Sequence, residues 1–90
     1  MAIEVRVPTI LRTYTGGEKA VQTSGGTLAE AIDALEADHT GLRDRLLDDG
    51  QVRKFINVYV NDEDVRFSGG MQTPLSDGDT VVILPAVAGG

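Results

Sequence analysis

The chain has no cysteine and no tryptophan, a single histidine, and only two Tyr and two Phe in 90 residues. Without cysteine there is no disulfide framework, no thiolate metal site and no cysteine nucleophile. Basic residues are scarce as well. Eight Lys and Arg stand against fourteen Asp and Glu, giving a formal net charge of −6. That balance disfavours nucleic-acid backbones and anionic membrane surfaces, both of which need a basic footprint. Long apolar runs are missing too: Val81 to Ala88 is interrupted by Pro85 and falls far short of a membrane span. The opening MAIEVRV has no basic region followed by an apolar core, so no signal peptide is expected. What remains is 41% hydrophobic residues, which suits one compact domain with a single core. The expected compartment is the cytoplasm.

Hydrophobic periodicity divides this domain into a few elements. Ile3-Glu4-Val5-Arg6-Val7 alternates with the period of a strand that buries one face. Pro8 weakens pairing there, Thr15 to Glu18 is turn chemistry, and Lys19 to Thr23 forms a second strand with Val21 inward. Thr27-Leu28-Ala29-Glu30 fits a capping box, and Leu28, Ile32 and Leu35 follow as an apolar stripe. A helix is therefore expected from Leu28 to Asp38. Leu42, Leu46 and Leu47 predict one or two further turns, ended by Asp48-Asp49-Gly50. Phe55 to Val60 is the strongest strand signal. A polar turn at residues 61–64, a short edge strand at Val65-Arg66-Phe67 and a helical turn at Thr73-Pro74-Leu75 follow. Asp77-Gly78-Asp79 turns the chain into a last strand, Thr80 to Leu84. Strand, strand, helix, strand, short strand, strand is an α+β order. It is the order of the β-grasp, or ubiquitin-like, fold, with a mixed sheet of four to five strands and one main helix across it. The expected division is a domain over residues 1–84 and a flexible tail over 85–90.

The catalytic inventory is nearly empty. His39, at the polar end of the first helix, reads as a solvated helix-end residue whose cation would favour the C-terminal dipole. The acidic groups Asp48-Asp49, Asp62-Glu63-Asp64 and Asp77/Asp79 lack the ligand spacing of a calcium loop and read as turn formers. No metal site is expected. There is no phosphate-binding glycine loop and no nucleophile elbow.

Paired glycines occur at Gly16-Gly17, Gly25-Gly26, Gly69-Gly70 and Gly89-Gly90. The first three fall between elements, where turns need them. Gly89-Gly90 has no turn to make, so a functional use is favoured. Asp79 is the last charged side chain, which leaves the terminal carboxylate as the only charge beyond it. Six residues after Leu84 span on the order of 20 Å when extended. Two residues without Cβ let that carboxylate enter a narrow channel and approach a second molecule closely. The expected role of the chain is therefore to present its own C-terminus.

The ending from Leu75-Ser76-Asp77-Gly78-Asp79 through Thr80-Val81-Val82-Ile83-Leu84-Pro85 to Gly89-Gly90 resembles the small ubiquitin-fold sulfur carriers. That family includes the small subunit of molybdopterin synthase and the thiamine-pathway carrier. Many molybdopterin-pathway members carry two prolines before the valine, whereas Ala86 stands at the second position here. With the stretch from Asn57 to Gly70, this makes the chain more similar to the actinobacterial cysteine-biosynthesis carriers. The resemblance implies that an enzyme of the ubiquitin-activating type uses ATP to adenylate Gly90, and that sulfur then displaces AMP to leave a thiocarboxylate. Gly89, Ala88 and Val87 would be the access residues. The resemblance also implies sulfur-accepting partners: a pyridoxal-phosphate cysteine synthase working from O-phosphoserine, or a thiosugar synthase. A metalloprotease would release the cysteine product. The chain itself would bind no cofactor and would be a carrier, not an enzyme. Molybdopterin, thiamine or a secondary metabolite are alternative destinations for the sulfur. A protein modifier and a plain interaction domain are alternative functions, although only Lys19 and Lys54 are available for self-chains.

Alternation also predicts a docking face. Ile56, Val58, Val60, Val81 and Ile83 point to the helix, which leaves Phe55, Asn57, Tyr59, Val82 and Leu84 on the other side. If the two strands are neighbours, Tyr59, Val82 and Leu84 form an apolar cluster facing water, where polar residues are the rule. Tyr59, Val82, Leu84 and Phe55 are therefore the expected partner-binding residues.

Overall fold

The computed structural model describes residues 2–85. Strand β1, Ile3–Arg6, pairs antiparallel with β2, Ala20–Thr23, with Val5 opposite Val21. Helix α1, Leu28–Asp38, and a short α2, Leu42–Leu46, lead to a small hairpin of β3, Leu47–Asp48, and β4, Gln51–Val52. Strands β5, Ile56–Val60, and β6, Glu63–Asp64, precede the last strand, β7, Thr80–Pro85. The main sheet has the order β2-β1-β7-β5-β6, and β7 runs parallel to β1 and antiparallel to β5. This is the expected mixed β-grasp sheet, with β7 between two partners.

Local chemistry accounts for α1. The Thr27 hydroxyl accepts the Glu30 N–H at 3.3 Å, and the Glu30 carboxylate accepts the Gly26 N–H at 2.8 Å. The cap thus reaches one residue further back than the usual capping box. Gly25 belongs to the same corner, because a Cβ there would sit 2.7 Å from the Ala31 nitrogen. Leu28, Ala31, Ile32 and Leu35 are buried and face Val5, Val58, Val81 and Ile83 across the layer boundary. Each fully buried Leu, Ile or Val side chain contributes roughly 1.5–3 kcal/mol through desolvation.

Four expectations need correction. The connection after β1, where the sequence predicts only turn chemistry at Thr15 to Glu18, contains a 3-10 helix, Thr9–Thr15. Pro8 starts it without needing a donor, buried Leu11 anchors it, and Thr15 closes it by donating to the Glu18 carbonyl at 2.7 Å. Asp49-Gly50 does not end a helix, because α2 stops at Leu46 and Leu47, expected in its turns, begins β3. With φ of 55° and 79° the Asp-Gly pair forms the tight turn of the β3–β4 hairpin. The edge strand is Glu63–Asp64, not Val65 to Phe67. Asn61 and Asp62, at φ of 50° and 73°, turn the chain in two residues, and the Asp64 carboxylate then caps a 3-10 turn at Arg66. Finally, Thr73-Pro74-Leu75 is extended. Pro74 disfavours helical backbone at Thr73, whose carbonyl accepts the Leu28 N–H, while Leu75 donates to Gly26. The 3-10 turn lies just before it, at Gly70–Gln72.

Candidate functional site

The site begins with β7, which is hydrogen-bonded on both edges and so makes a firm base for the chain that continues from it. It includes Pro85, opposite Ile56, one residue beyond the expected strand end. The six residues of β7 carry the chain about 17 Å from Thr80 to Pro85. That length separates the acidic turn from the end that leads to the C-terminus. In the turn, Asp79 accepts the Ser76 N–H at 2.8 Å and the Asn61 side-chain amide at 2.9 Å. These bonds, the backbone one foremost, hold its carboxyl below the usual carboxylate range. Asp77 accepts the Ala2 N–H at 2.7 Å. Both side chains serve the turn, as expected of them.

The outward face of the sheet follows from the register. Val82 lies between Arg6 of β1 and Tyr59 of β5, and Leu84 lies opposite Asn57. Val82 and Tyr59 are half-buried, whereas Leu84 is 45% exposed. Their inward neighbours Val81, Ile83, Val58 and Val60 are all buried. The structure therefore brings Tyr59, Val82 and Leu84 into one stripe on the side away from α1. Charged groups frame it. Arg6 is paired with Glu4 at 2.9 Å, and the Arg66 guanidinium donates to the Asn57 side-chain oxygen at 2.7 Å and the Ile56 carbonyl at 2.8 Å.

Phe55 is placed differently. It precedes β5 and is 54% exposed. It lines a groove of about 640 Å³ with Ile10, Arg45, Arg53, Lys54 and Pro85 among others. Sequence reasoning missed this groove because its walls come from separate elements. One signal was present: four of the eight basic residues, Arg43, Arg45, Arg53 and Lys54, fall within twelve positions. Gly90, Gly89, Ala88 and Val87 lie outside the described residues.

His39 caps α1 through its backbone N–H, which donates to the Leu35 carbonyl at 2.7 Å. Beside it, Glu36 accepts the Gly41 and Arg43 N–H groups at 2.9 Å each, and these bonds hold its carboxyl below the usual range. Among the described residues no cluster of His, Asp and Glu could hold a metal ion, and no helix is long and apolar enough to cross a membrane.

Residues 5–90 match the ThiS family. The sulfur carrier protein CysO of Mycobacterium tuberculosis is 56% identical, and the match covers all of both chains. The small archaeal modifier protein 3 of Haloferax volcanii is 37% identical, again over all of both chains. Among solved structures, a chain of the Amycolatopsis orientalis BexX/CysO complex superposes with a TM-score of 0.94 at 58% identity, covering 99% of this chain and 100% of that one.

Proposed function

The chain belongs to the ThiS family, and from that premise we propose that it carries sulfur on its own C-terminus as a thiocarboxylate, serving partner enzymes rather than catalysing a reaction. The observation that carries this reading is the position of β7. A strand held on both edges ends at Pro85, five residues before Gly90, with an apolar stripe on its outward face. A 56% identical sulfur carrier supports it along the whole chain.

The chemistry is an exchange at one carbon. A free carboxylate is a poor acyl donor, so an adenylating partner of the ubiquitin-activating type joins the Gly90 carboxylate to AMP and releases pyrophosphate. A sulfur nucleophile then displaces AMP, and the terminal C–O bond is replaced by C–S. Gly89, Ala88 and Val87 give the reacting carbon its access. ATP and the sulfur donor bind to the partner, not to this chain. The product branch we favour is cysteine made from O-phosphoserine on a pyridoxal-phosphate enzyme, with a metalloprotease releasing it. A thiosugar synthase is the alternative acceptor. A cytoplasmic location fits all of these partners. The 37% identity to an archaeal modifier protein supports a second reading, in which Gly90 forms an isopeptide bond with a target lysine.

Tyr59, Val82 and Leu84 would form the docking stripe, because exposed apolar side chains beside a reactive terminus mark a partner surface. The test combines the chain with its adenylating enzyme, ATP and a sulfide source. Thiocarboxylate formation is read by mass, and binding by titration. Val82→Asp and Leu84→Asp should weaken binding at least about tenfold, a loss of about 1.4 kcal/mol, with melting temperatures within a few degrees. Tyr59→Ala should show the largest single loss. Failure of the intact chain to gain sulfur overturns the carrier reading. Unchanged affinity in both aspartate variants overturns the docking stripe.

A further inference from the structure

Cations gather at Arg6, Arg12 and Lys19, where Arg6 is paired with Glu4, but the groove beside Pro85 differs in that none of its cations has a carboxylate partner among the described residues. Arg45, Arg53 and Lys54 line it, with Asp48 as the carboxylate among its walls. The net charge elsewhere is strongly negative, since the whole chain carries −6. None of the three cations is in an ion pair among the described residues, where the pairs are Arg6–Glu4 and Arg43–Asp33. Each is instead held in place by a neutral group. Arg45 donates to the Tyr14 hydroxyl at 2.6 Å and stands over its ring, Arg53 donates to the Asp44 carbonyl at 2.9 Å, and the Lys54 ammonium lies 5.5 Å from the Phe55 ring centre. These contacts orient the charges without neutralising them. Exposed Ile10 and Phe55, 63% and 54% accessible, supply apolar ground between them.

From this groove we infer a second contact surface on the carrier, one that receives an acidic surface at the mouth of the adenylating enzyme. This inference rests on the carrier reading. Charge complementarity selects the occupant. An acidic partner is repelled by most of this chain and attracted at the groove. The groove cations, unlike Arg6 in the cluster with Arg12 and Lys19, are unpaired among the described residues, so the field turns the carrier with Pro85 toward the partner. The groove lies at the Pro85 end of β7, and the acidic Asp77-Gly78-Asp79 turn lies at the other end, which sharpens that orientation. Nucleic acid is disfavoured as the occupant, because three cations on a chain of charge −6 give too small a phosphate-binding footprint.

Stopped-flow association of the full chain with its adenylating enzyme tests this at about 0.02 M and about 0.2 M salt, where the Debye length falls from roughly 20 Å to roughly 7 Å. The readout is the gap between the native chain and a charge-reversed groove, because the −6 net charge by itself slows approach to an acidic partner at low salt. Arg53→Glu with Lys54→Glu should slow association about tenfold at low salt and converge on the native chain at high salt. Lys54→Glu alone should show the same pattern at smaller amplitude. That single variant keeps the test decisive if the pair unfolds. Val82→Asp should instead weaken binding at both salt levels. Equal rates for the native chain and Lys54→Glu at low salt overturn the acidic-surface contact even if thiocarboxylate still forms. Thiocarboxylate that fails to form while Lys54→Glu still slows association at low salt overturns the carrier reading and leaves the contact standing. Tighter binding to a short DNA duplex than to the enzyme overturns the choice of occupant.

Discussion

Deletion of Gly89 and Gly90 should abolish thiocarboxylate formation and leave the melting temperature within a few degrees of the intact chain. The chemical half of this expectation follows from atom identity. In the proposed reaction the adenylated carbon belongs to Gly90, and the shortened chain ends in Ala88, whose Cβ would obstruct the close approach that glycine allows. The stability half follows from the core, which is built from residues between Ile3 and Ile83. Removing two terminal residues beyond that core takes away no buried apolar area of this set. Calorimetry and the mass of the reacted chain measure the two halves on one sample. A shortened chain that still gains sulfur at its end contradicts the assignment of Gly90. One that unfolds contradicts the separation of tail and core.

Leu35→Ala should do the opposite. Leu35 is 2% exposed on the sheet-facing stripe of α1 and borders a void of about 10 Å³ shared with Val58 and Val81. Truncation adds its own volume to a gap that the surrounding side chains already fail to close. The expected cost is about 2–5 kcal/mol. For a domain of this size that lowers the melting temperature by at least about 8 °C. Below its melting point the variant should still accept sulfur, since the C-terminus is chemically intact. A shift of only a few degrees would mean that Leu35 does not anchor the helix to the sheet.

Signals confined to a few neighbouring residues were legible in the sequence. Thr27 and Glu30 announced the start of α1, and the spacing of Leu28, Ile32 and Leu35 set the face it buries; the helix spans Leu28–Asp38 as expected. Alternation in β5 and β7 assigned inward and outward faces correctly, because both strands are long enough to show a period of two. The β3–β4 hairpin escaped because two-residue strands have no period at all. The 3-10 helix after Pro8 was hidden by the conspicuous turn residues Gly16 and Gly17. Arg66 reads as a strand residue, yet its N–H is taken by the Asp64 carboxylate, a competition that alternation does not register. The basic groove needed the fold itself. Ile10, Arg45, Phe55 and Pro85 come from four parts of the chain, and only the pairing of Ile56 with Pro85 brings the last two together.

The central claim is that Gly90 carries sulfur, and the mass of the C-terminal peptide from native cells tests it most directly. The account predicts a population in which one terminal oxygen is replaced by sulfur, reactive toward thiol-directed reagents although the chain has no cysteine. A Gly90 found joined to a lysine of another protein, or recovered only as the free carboxylate when sulfur metabolism is active, would contradict it.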